Sequence, residues 1–178
     1  MAGRWRIRRY IDADASQLRP FTCSTPGQRW TKPPQKIIRA APDAEECPSV
    51  FVAEDLKTDK GRILGVIVFD LEQPYIHSVG VVRDRRREGI GSSLKRASLA
   101  EMVALVGTVT AVSSVHKKNI PMIKLNEGLG VKSTKDPEDG DYLLSAILVE
   151  PTPDTVTTSS TPLIRALLRR FRTREQVN

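Results

Sequence analysis

The sequence predicts a single α/β domain at residues 1–150, and three observations support this class. Short apolar stretches rich in Val, Ile and Leu alternate along the chain with helical patterns of apolar residues. A chain of 178 residues is long enough to bury one core of ordinary size. The polar segment 151–160, which contains Pro, Thr and Ser, has the composition of a linker and places the end of the domain near residue 150.

The first half of the predicted domain contains strands and short helices. Residues 5–11 alternate apolar and basic side chains, which favours a half-buried strand. Six prolines lie in segment 14–48, and this density excludes long helices. Short helices are expected there, at 16–21 and 34–41. Three strands are predicted next, at 49–54, 62–71 and 76–82, with a hairpin turn at 55–61.

The second half alternates helices with strands. Apolar residues recur at helical spacing in 92–106, so this segment is predicted to form an amphipathic helix. The β-branched residues of 108–115 predict a buried strand. A second helix is predicted at 120–127, because Pro121 suits its first turn and Gly128 suits its end. The last hairpin is predicted from strands at 131–135 and 142–149.

The charge distribution argues against a nucleic-acid partner. The chain has a net charge of +7, but residues 1–10 and residues 161–178 carry +4 each, so the part between them is close to neutral. A nucleic-acid groove spreads positive charge over one face and interleaves aromatic residues, which make up only 5% of this chain. Residues 161–178 are interpreted as a short basic amphipathic helix.

Composition also bears on compartment and on metal binding. Cys23 and Cys47 show neither a CxxC pair nor metal-ligand spacing, so no metal site is expected. No apolar run approaches the roughly 20 residues of a membrane span. The first residues lack the apolar region of a secretory signal. These observations favour a cytoplasmic protein with reduced thiols and no transmembrane segment.

The most informative stretch runs from an apolar strand through a basic turn into a helix. It reads Val79-Gly-Val-Val-Arg-Asp-Arg-Arg-Arg-Glu-Gly-Ile-Gly-Ser-Ser-Leu94. The positive end of a helix dipole and its unpaired amides attract an anion. Gly89 and Gly91 let a ligand approach the backbone, and the arginines at 83, 85, 86 and 87 add positive charge. The stretch therefore predicts a phosphate-binding loop.

Two common phosphate-binding loops are excluded. The sequence has no Gly-x-x-x-x-Gly-Lys string followed by Ser or Thr, as a P-loop requires. A dinucleotide fingerprint needs a third glycine where Leu94 stands, together with an acidic residue after the next strand. The motif that is present is Arg86-x-x-Gly89-x-Gly91.

This motif resembles the acyl-CoA-binding motif of the GNAT N-acetyltransferase superfamily, Gln/Arg-x-x-Gly-x-Gly/Ala. A second segment, from Asn119 through a helix to Leu129, Gly130 and Val131, resembles the next element of that family. The resemblance covers roughly residues 49–150 and implies the GNAT fold, a mixed, largely antiparallel sheet of six to seven strands flanked by helices. It further implies that segment 14–48 shapes the acceptor side of the cleft.

The resemblance also implies the ligands and the residues that hold them. Acetyl-CoA would be the co-substrate and an amine the acceptor, and a homodimer is compatible with this hypothesis. The loop amides would hold the pyrophosphate, and the preceding strand would receive the pantetheine arm and the thioester. The implied residues are Val81, Val82, Arg83, Arg86, Arg87, Glu88, Gly89, Ile90, Gly91, Ser92 and Asn119.

The residues for proton transfer depart from the family pattern. The family commonly has a Tyr as general acid seven residues after the Asn, and Asn126 stands at this position. An amide cannot donate a proton to a departing thiolate, although it can hydrogen-bond to it. Tyr142 in the last hairpin is an alternative acid, and His77 and His116 are candidate bases, because a neutral imidazole accepts a proton near pH 7. His77 is expected to share one side of its strand with Val81.

Three functions remain open at this point. The main hypothesis is an acetyl-CoA-dependent N-acetyltransferase in which a primary amine attacks the thioester directly. The second is a non-catalytic acyl-CoA-binding module that has kept the loop and lost the Tyr. The third is an acetyltransferase whose acceptor is a tRNA-bound amine, drawn in by the basic ends of the chain.

Overall fold

A computed structural model of the chain describes residues 5–18, 21, 49–58, 61–71 and 73–151. Two 3₁₀ helices, η1 and η2, accompany the α-helices and strands. The elements in chain order are β1 (Trp5–Arg9), η1 (Asp12–Leu18), β2 (Ser49–Asp55), β3 (Ile63–Asp70), β4 (Tyr75–Val81), η2 (Arg83–Arg85), α1 (Ile90–Val106), β5 (Val109–His116), α2 (Ile120–Glu127), β6 (Lys132–Lys135) and β7 (Tyr142–Val149).

The seven strands form one sheet in the order β1-β2-β3-β4-β5-β7-β6. Neighbouring strands are antiparallel except for β4 and β5, which run parallel. The predicted α/β class and the mixed, largely antiparallel sheet are therefore confirmed. Within the described ranges, no helix is both long and apolar enough to cross a membrane.

The predicted strands and α-helices agree with the structure to within two residues at each end. The short helix predicted at 16–21 lies earlier, at Asp12–Leu18. It does so because the Asp14 carboxylate accepts the Ile11 amide at 3.0 Å and pairs with the Arg8 guanidinium at 2.7 and 2.8 Å. The helices predicted at 34–41 and 161–178, and nearly all of the predicted linker 151–160, lie outside the described residues.

Strand β3 is the centre of the core, because both of its faces are buried. One face packs with Ile90, Leu94 and Met102 of α1. The other face packs with Leu18 and with Phe21, which follows η1. A strand covered on both faces reads as a continuous apolar run rather than an alternation, and the sequence of β3 has this character.

A β-bulge in β4 changes the side to which His77 belongs. Two consecutive residues of β3 pair with Ser78 and Ile76, which leaves His77 as the extra residue between them. Ile76 then packs in the same apolar cluster as Val81. The expectation that His77 shares a side with Val81 is wrong, because strict alternation holds only along an unbroken ladder.

Gly65 in β3 allows the first turns of α1 to lie close to the sheet. A Cβ atom at this position would be 2.9 Å from both the Ile90 Cγ2 and the Leu94 Cδ1 atoms. It would also be 3.1 Å from the carbonyl oxygen of Gly80 in β4. The absence of a side chain at Gly65 therefore sets the position of the N-terminus of α1.

We expect Gly65→Ala to lower the free energy of unfolding by about 1–3 kcal/mol, because the added methyl group overpacks the contact between β3 and α1. Gly140→Ala is the matched control, since a Cβ there would meet no atom within 4 Å. Urea unfolding of both variants checks the prediction. Equal stability of the two variants would show that α1 can move away from the sheet without cost.

Candidate active site

A cavity lies where β4 and β5 part. Their register contains one pair, Tyr75 with Val112, near the start of β4. Past that pair the strands diverge, and a cavity of about 900 Å³ opens beside the end of β4. Its walls are the end of β4 with the following loop, the first residues of α1, and helix α2 with Asn119 before it.

The end of β4 presents a backbone donor to this cavity. The Val82 amide donates to the carbonyl oxygen of Leu64 in β3 at 2.9 Å. Because successive amides of an extended chain point to opposite edges, the Val81 amide points away from β3 and toward the cavity. Val81 therefore fits the role that the family resemblance implies. The Val82 amide is used within the sheet, and this corrects the expectation that it also receives the ligand.

The N-terminus of α1 supplies further donors. The first helical hydrogen bond runs from the Ser93 amide to the Gly89 carbonyl oxygen at 2.9 Å, so the amides of Ile90, Gly91 and Ser92 precede the helical ladder. No side chain caps this end of the helix. Uncapped amides at the positive end of a helix dipole attract an anion.

The backbone of the loop has left-handed geometry at two positions. Gly89 has φ 89°, and a Cβ there would meet no atom within 4 Å, so the space beside it is open. Arg87 has φ 68°, which costs a residue with a side chain about 1–2 kcal/mol. Such strain is retained where the surrounding structure imposes the conformation, and it is frequent in ligand-binding loops.

The arginines of the loop divide into two groups. The Arg85 guanidinium pairs with Asp55 at 3.0 Å and with Glu88 at 2.7 Å. The Arg86 Nε donates to the Val81 carbonyl oxygen at 3.1 Å and ties the loop to the end of β4. In the part of the chain that the structure describes, Arg83 and Arg87 have no carboxylate partner. Fewer positive charges are therefore available to a ligand than the four arginines of the sequence suggest.

Gly91 has a second purpose besides its place in the cavity wall. A Cβ atom here would be 2.9 Å from the Leu125 Cδ1 atom of α2. The sequence suggested that Gly91 lets a ligand reach the backbone. In the structure its missing side chain also lets α2 pack closely against α1.

Nine of the eleven residues predicted to hold the cofactor line the cavity; Val82 and Glu88 do not. Glu88 instead forms the ion pair with Arg85. Sequence reasoning missed part of the lining, namely Val79, Gly80, Arg85, Pro121, Met122, Lys124 and Leu125. The spacing of Met122 and Leu125, three residues apart on one helix face, was the available signal for the α2 wall.

Asn119 belongs both to the start of α2 and to the wall of the cavity. It is the N-cap residue of α2, and its side-chain oxygen accepts the Met122 amide at 3.4 Å. It also lines the cavity. A single side chain thus starts the helix and faces the site.

His77 lies apart from the cavity. Its Nε2 atom is 2.6 Å from the Asp70 carboxylate across the β3–β4 hairpin, and its ring contacts Tyr75 edge to face. The distance along β4 from His77 to Val81 is about 13 Å at the rise of an extended strand. The structure does not bring this candidate base together with the loop.

His116 and Tyr142 lie together at the end of β5. They are register partners in β5 and β7, and their rings meet edge to face with centroids 5.2 Å apart. The His116 Nδ1 accepts the Lys118 amide at 3.1 Å, so the neutral ring carries its proton on Nε2. His116 lies four residues after Val112 in β5, past the point where β4 and β5 part, and neither His116 nor Tyr142 is among the residues that line the cavity.

Asn126, at the position of the family's Tyr, is fully buried rather than facing the cavity. Its Oδ1 accepts a hydrogen bond from the Nζ of Lys95 in α1, and its Nδ2 has no partner. Burial lowers the pKa of the Lys95 ammonium from 10.5 to about 8. Nothing in the sequence signalled this pair, since Lys95 reads as one more polar residue of an amphipathic helix.

Among the described residues, no group of three or more His, Cys, Asp and Glu side chains is placed to hold a metal ion.

Comparisons with known proteins identify the class. A model of the acetyltransferase (GNAT) family matches residues 15–131, which is more than half of the chain. The chain therefore belongs to the GNAT acetyltransferase family, as the two motifs predicted. A comparison with curated protein sequences finds no match.

Solved structures share the fold. Ard1 from Thermoplasma volcanium has a TM-score of 0.63 at 18% identity, covering 84% of this chain and 100% of that one. The ribosomal-protein-S18-alanine N-acetyltransferase from Escherichia coli has a TM-score of 0.60 at 15% identity, covering 84% and 97%. A GNAT family acetyltransferase from Brucella melitensis in complex with acetyl-CoA has a TM-score of 0.58 at 22% identity, covering 83% and 89%.

The depressed pKa of Lys95 predicts a pH dependence of stability. Between pH 8 and pH 10.5 the unfolded chain holds a proton on Lys95 that the folded chain has released, so stability rises with pH in this window. A shift of this size corresponds to about 3 kcal/mol. We expect the free energy of unfolding of wild type, measured relative to Lys95→Met, to rise by this order between pH 8 and pH 10.5. Parallel pH curves for the two proteins would contradict the prediction.

Proposed function

We propose that the protein is an acetyl-CoA-dependent N-acetyltransferase that moves an acetyl group to a primary amine by direct attack on the thioester. The observation that carries this proposal is the uncapped N-terminus of α1 at the mouth of the opening between β4 and β5. Membership of the GNAT family supplies the class of reaction. The low identity of the solved structures leaves the acceptor unspecified.

The residues of the cavity fit acetyl-CoA. Phosphate oxygens require N–H donors and positive charge, and the amides of Ile90, Gly91 and Ser92 supply the donors, with Arg83 and Arg87 beside them. The Ser92 hydroxyl adds a donor at the helix start. The Val81 amide and Asn119 are proposed to hold the pantetheine arm.

The remaining task of the chain is to orient the two reactants and to move a proton. Bound acetyl-CoA supplies an activated acetyl group, and a neutral amine adds to it when the two are held close together. Overall, one proton leaves the amine and one is placed on the CoA sulfur. Asn126 has its side chain turned toward Lys95, which argues against residue 126 as the donor.

Among the candidates for proton transfer, His116 is favoured over His77. It lies in β5 past the point where β4 and β5 part, while His77 is paired with Asp70 at the hairpin. The Nε2–H of the neutral His116 ring can donate a hydrogen bond to the departing sulfur or to the acetyl oxygen, and the proton that the sulfur gains comes from the attacking amine. Tyr142, edge to face with His116, is proposed to hold the ring.

The first test of this function compares Gly89→Glu with Gly107→Glu. Both glycines have positive φ, and a Cβ at either would meet no atom within 4 Å. Because ψ is −143° at Gly107 and 0° at Gly89, a side chain strains the backbone more at Gly107, so the control is the more severe test of strain alone. Gly107 follows the last residue of α1, at the other end of the helix from the loop. We expect acetyl-CoA to raise the Tm of wild type and of Gly107→Glu but not of Gly89→Glu, as measured by thermal-shift titration.

Two results would count against this proposal. Absence of any shift for wild type would remove acetyl-CoA as the ligand. Equal shifts for all three proteins would place the ligand elsewhere on the molecule.

A second test separates the two histidines. We expect His116→Ala to slow CoA release with an amine panel by about 10²–10³-fold, as loss of one hydrogen-bond donor to the reacting atoms does, with acetyl-CoA binding unchanged. His77→Ala should remain close to wild type. Full activity of His116→Ala would exclude the assigned role.

A non-catalytic acyl-CoA-binding module is the second candidate, and the buried side chain of Asn126 favours it. Acetyl-CoA binding without CoA release for any amine would support it. The hypothesis of a tRNA-bound acceptor depends on segment 161–178, which lies outside the described residues. The cytoplasmic location and the homodimer remain predictions.

A further inference from the structure

Helix α2 forms one wall of the cavity, but little of it is buried against the rest of the domain. It has eight residues, a length at which an isolated helix is marginal. Asn126 is its only buried residue, and Ile120, Pro121 and Lys124 are exposed. The place of α2 therefore depends on a small number of contacts with the rest of the domain.

Two contacts fasten α2 to α1, and they lie one helical turn apart on α1. Leu125 lies over Gly91, where a Cβ atom would come within 2.9 Å of its Cδ1. The side chain of Asn126 accepts a hydrogen bond from Lys95, four residues further along α1. Contacts at adjacent residues of one helix and at i, i+4 of the other fix both the separation and the rotation of the pair.

The backbone of Asn126 also secures the chain that leaves α2. Its carbonyl oxygen accepts the amides of Leu129 at 2.9 Å and of Val131 at 3.0 Å. Val131 precedes β6, so the same residue joins the end of α2 to the entry into the edge strand. A movement of Asn126 would displace the wall of the cavity and this connection together.

We propose that Lys95 and Asn126 are positioning residues, whose buried hydrogen bond holds α2 at the distance and rotation from α1 that acetyl-CoA binding requires. This inference rests on the proposed function. It also accounts for the loss of a proton donor at residue 126: the position serves the geometry of the cleft instead.

The hydrogen bond between Lys95 and Asn126 is better suited to fix the position of α2 than to stabilise the fold. Lys95 is 3% exposed, and among the described residues its ammonium group has the Asn126 amide and no carboxylate as partner. Burying a charge in this way is costly, and two apolar side chains would join the helices at lower cost. A hydrogen bond, unlike an apolar contact, is satisfied in only one orientation.

The experiment measures the Kd of acetyl-CoA by titration calorimetry well below the Tm, together with the Tm of each protein. Lys95→Met removes the donor at similar length, and Asn126→Leu removes the acceptor. Asn126→Asp keeps an acceptor for Lys95 in nearly the same shape. Val68→Ala is the stability control, because Val68 is fully buried on the face of the sheet opposite α1.

We expect Lys95→Met and Asn126→Leu each to raise the Kd of acetyl-CoA about tenfold, and Asn126→Asp to stay within about twofold of wild type. Val68→Ala should lower the Tm and leave the Kd unchanged. A wild-type Kd for Lys95→Met would overturn the inference and make the pair purely structural. An equal rise in the Kd of acetyl-CoA for Asn126→Asp and Asn126→Leu would also overturn the inference.

The double variant Lys95→Met/Asn126→Leu keeps the test decisive if a single variant does not fold. Its apolar pair leaves no buried charge unpaired, so we expect it to fold and still to bind acetyl-CoA more weakly than wild type. A wild-type Kd for the double variant would overturn the inference. Failure of wild type itself to bind acetyl-CoA would instead refute the proposed function, so the two failures are distinguishable.

Discussion

The divergence of β4 from β5 is the feature on which the rest of the site depends. After the single pair of Tyr75 with Val112, the edge of β4 that faces β5 has no strand partner, and its backbone is left to serve a ligand. On its other edge β4 remains bonded to β3, so the free edge is held rigidly. Gly65 then admits α1 close to that same end of the sheet. A strand edge and a helix N-terminus, each with unpaired donors, are thus brought to one place by packing on β3.

Only part of the positive charge in the loop is available to a ligand. Arg85 serves the fold through Asp55 and Glu88, and Arg86 ties the loop to Val81, so part of the basic turn is structural. The donors that do not move are the backbone amides at the start of α1. Fixed dipoles need no reorganisation when an anion arrives, whereas mobile arginine side chains must be ordered. In the proposed function the loop therefore recognises phosphate first through its backbone shape, which the strained φ of Arg87 helps to set.

The fold and the location of the cleft could be predicted from sequence because both depend on local signals. Apolar periodicity marked the strands and helices, and the spacing from Arg86 to Gly91 marked the loop. What could not be predicted depends on register and on contacts between distant segments. The bulge at His77 reverses the side of a strand through one unpaired residue. Val81 and Val82 differ because the Val82 amide, and not the Val81 amide, donates a hydrogen bond to β3. The contact of Lys95 with Asn126 joins residues 31 positions apart, and no periodicity within either helix predicts it.

At position 126, Asn in place of the family's Tyr changes what the residue contacts as well as removing a proton donor. A tyrosine is amphipathic and can place its hydroxyl in a cleft, but a short amide beside a buried ammonium satisfies that ammonium instead. In the proposed function, with Asn126 turned toward α1, the hydrogen bond to the departing sulfur comes from another element. The proposed donor is His116 at the end of β5, whose Nδ1 accepts the Lys118 amide and leaves Nε2 to face the reactants. Under this proposal α2 sets the shape of the cleft and β5 supplies the hydrogen-bond donor, so these two properties can be altered independently by mutation.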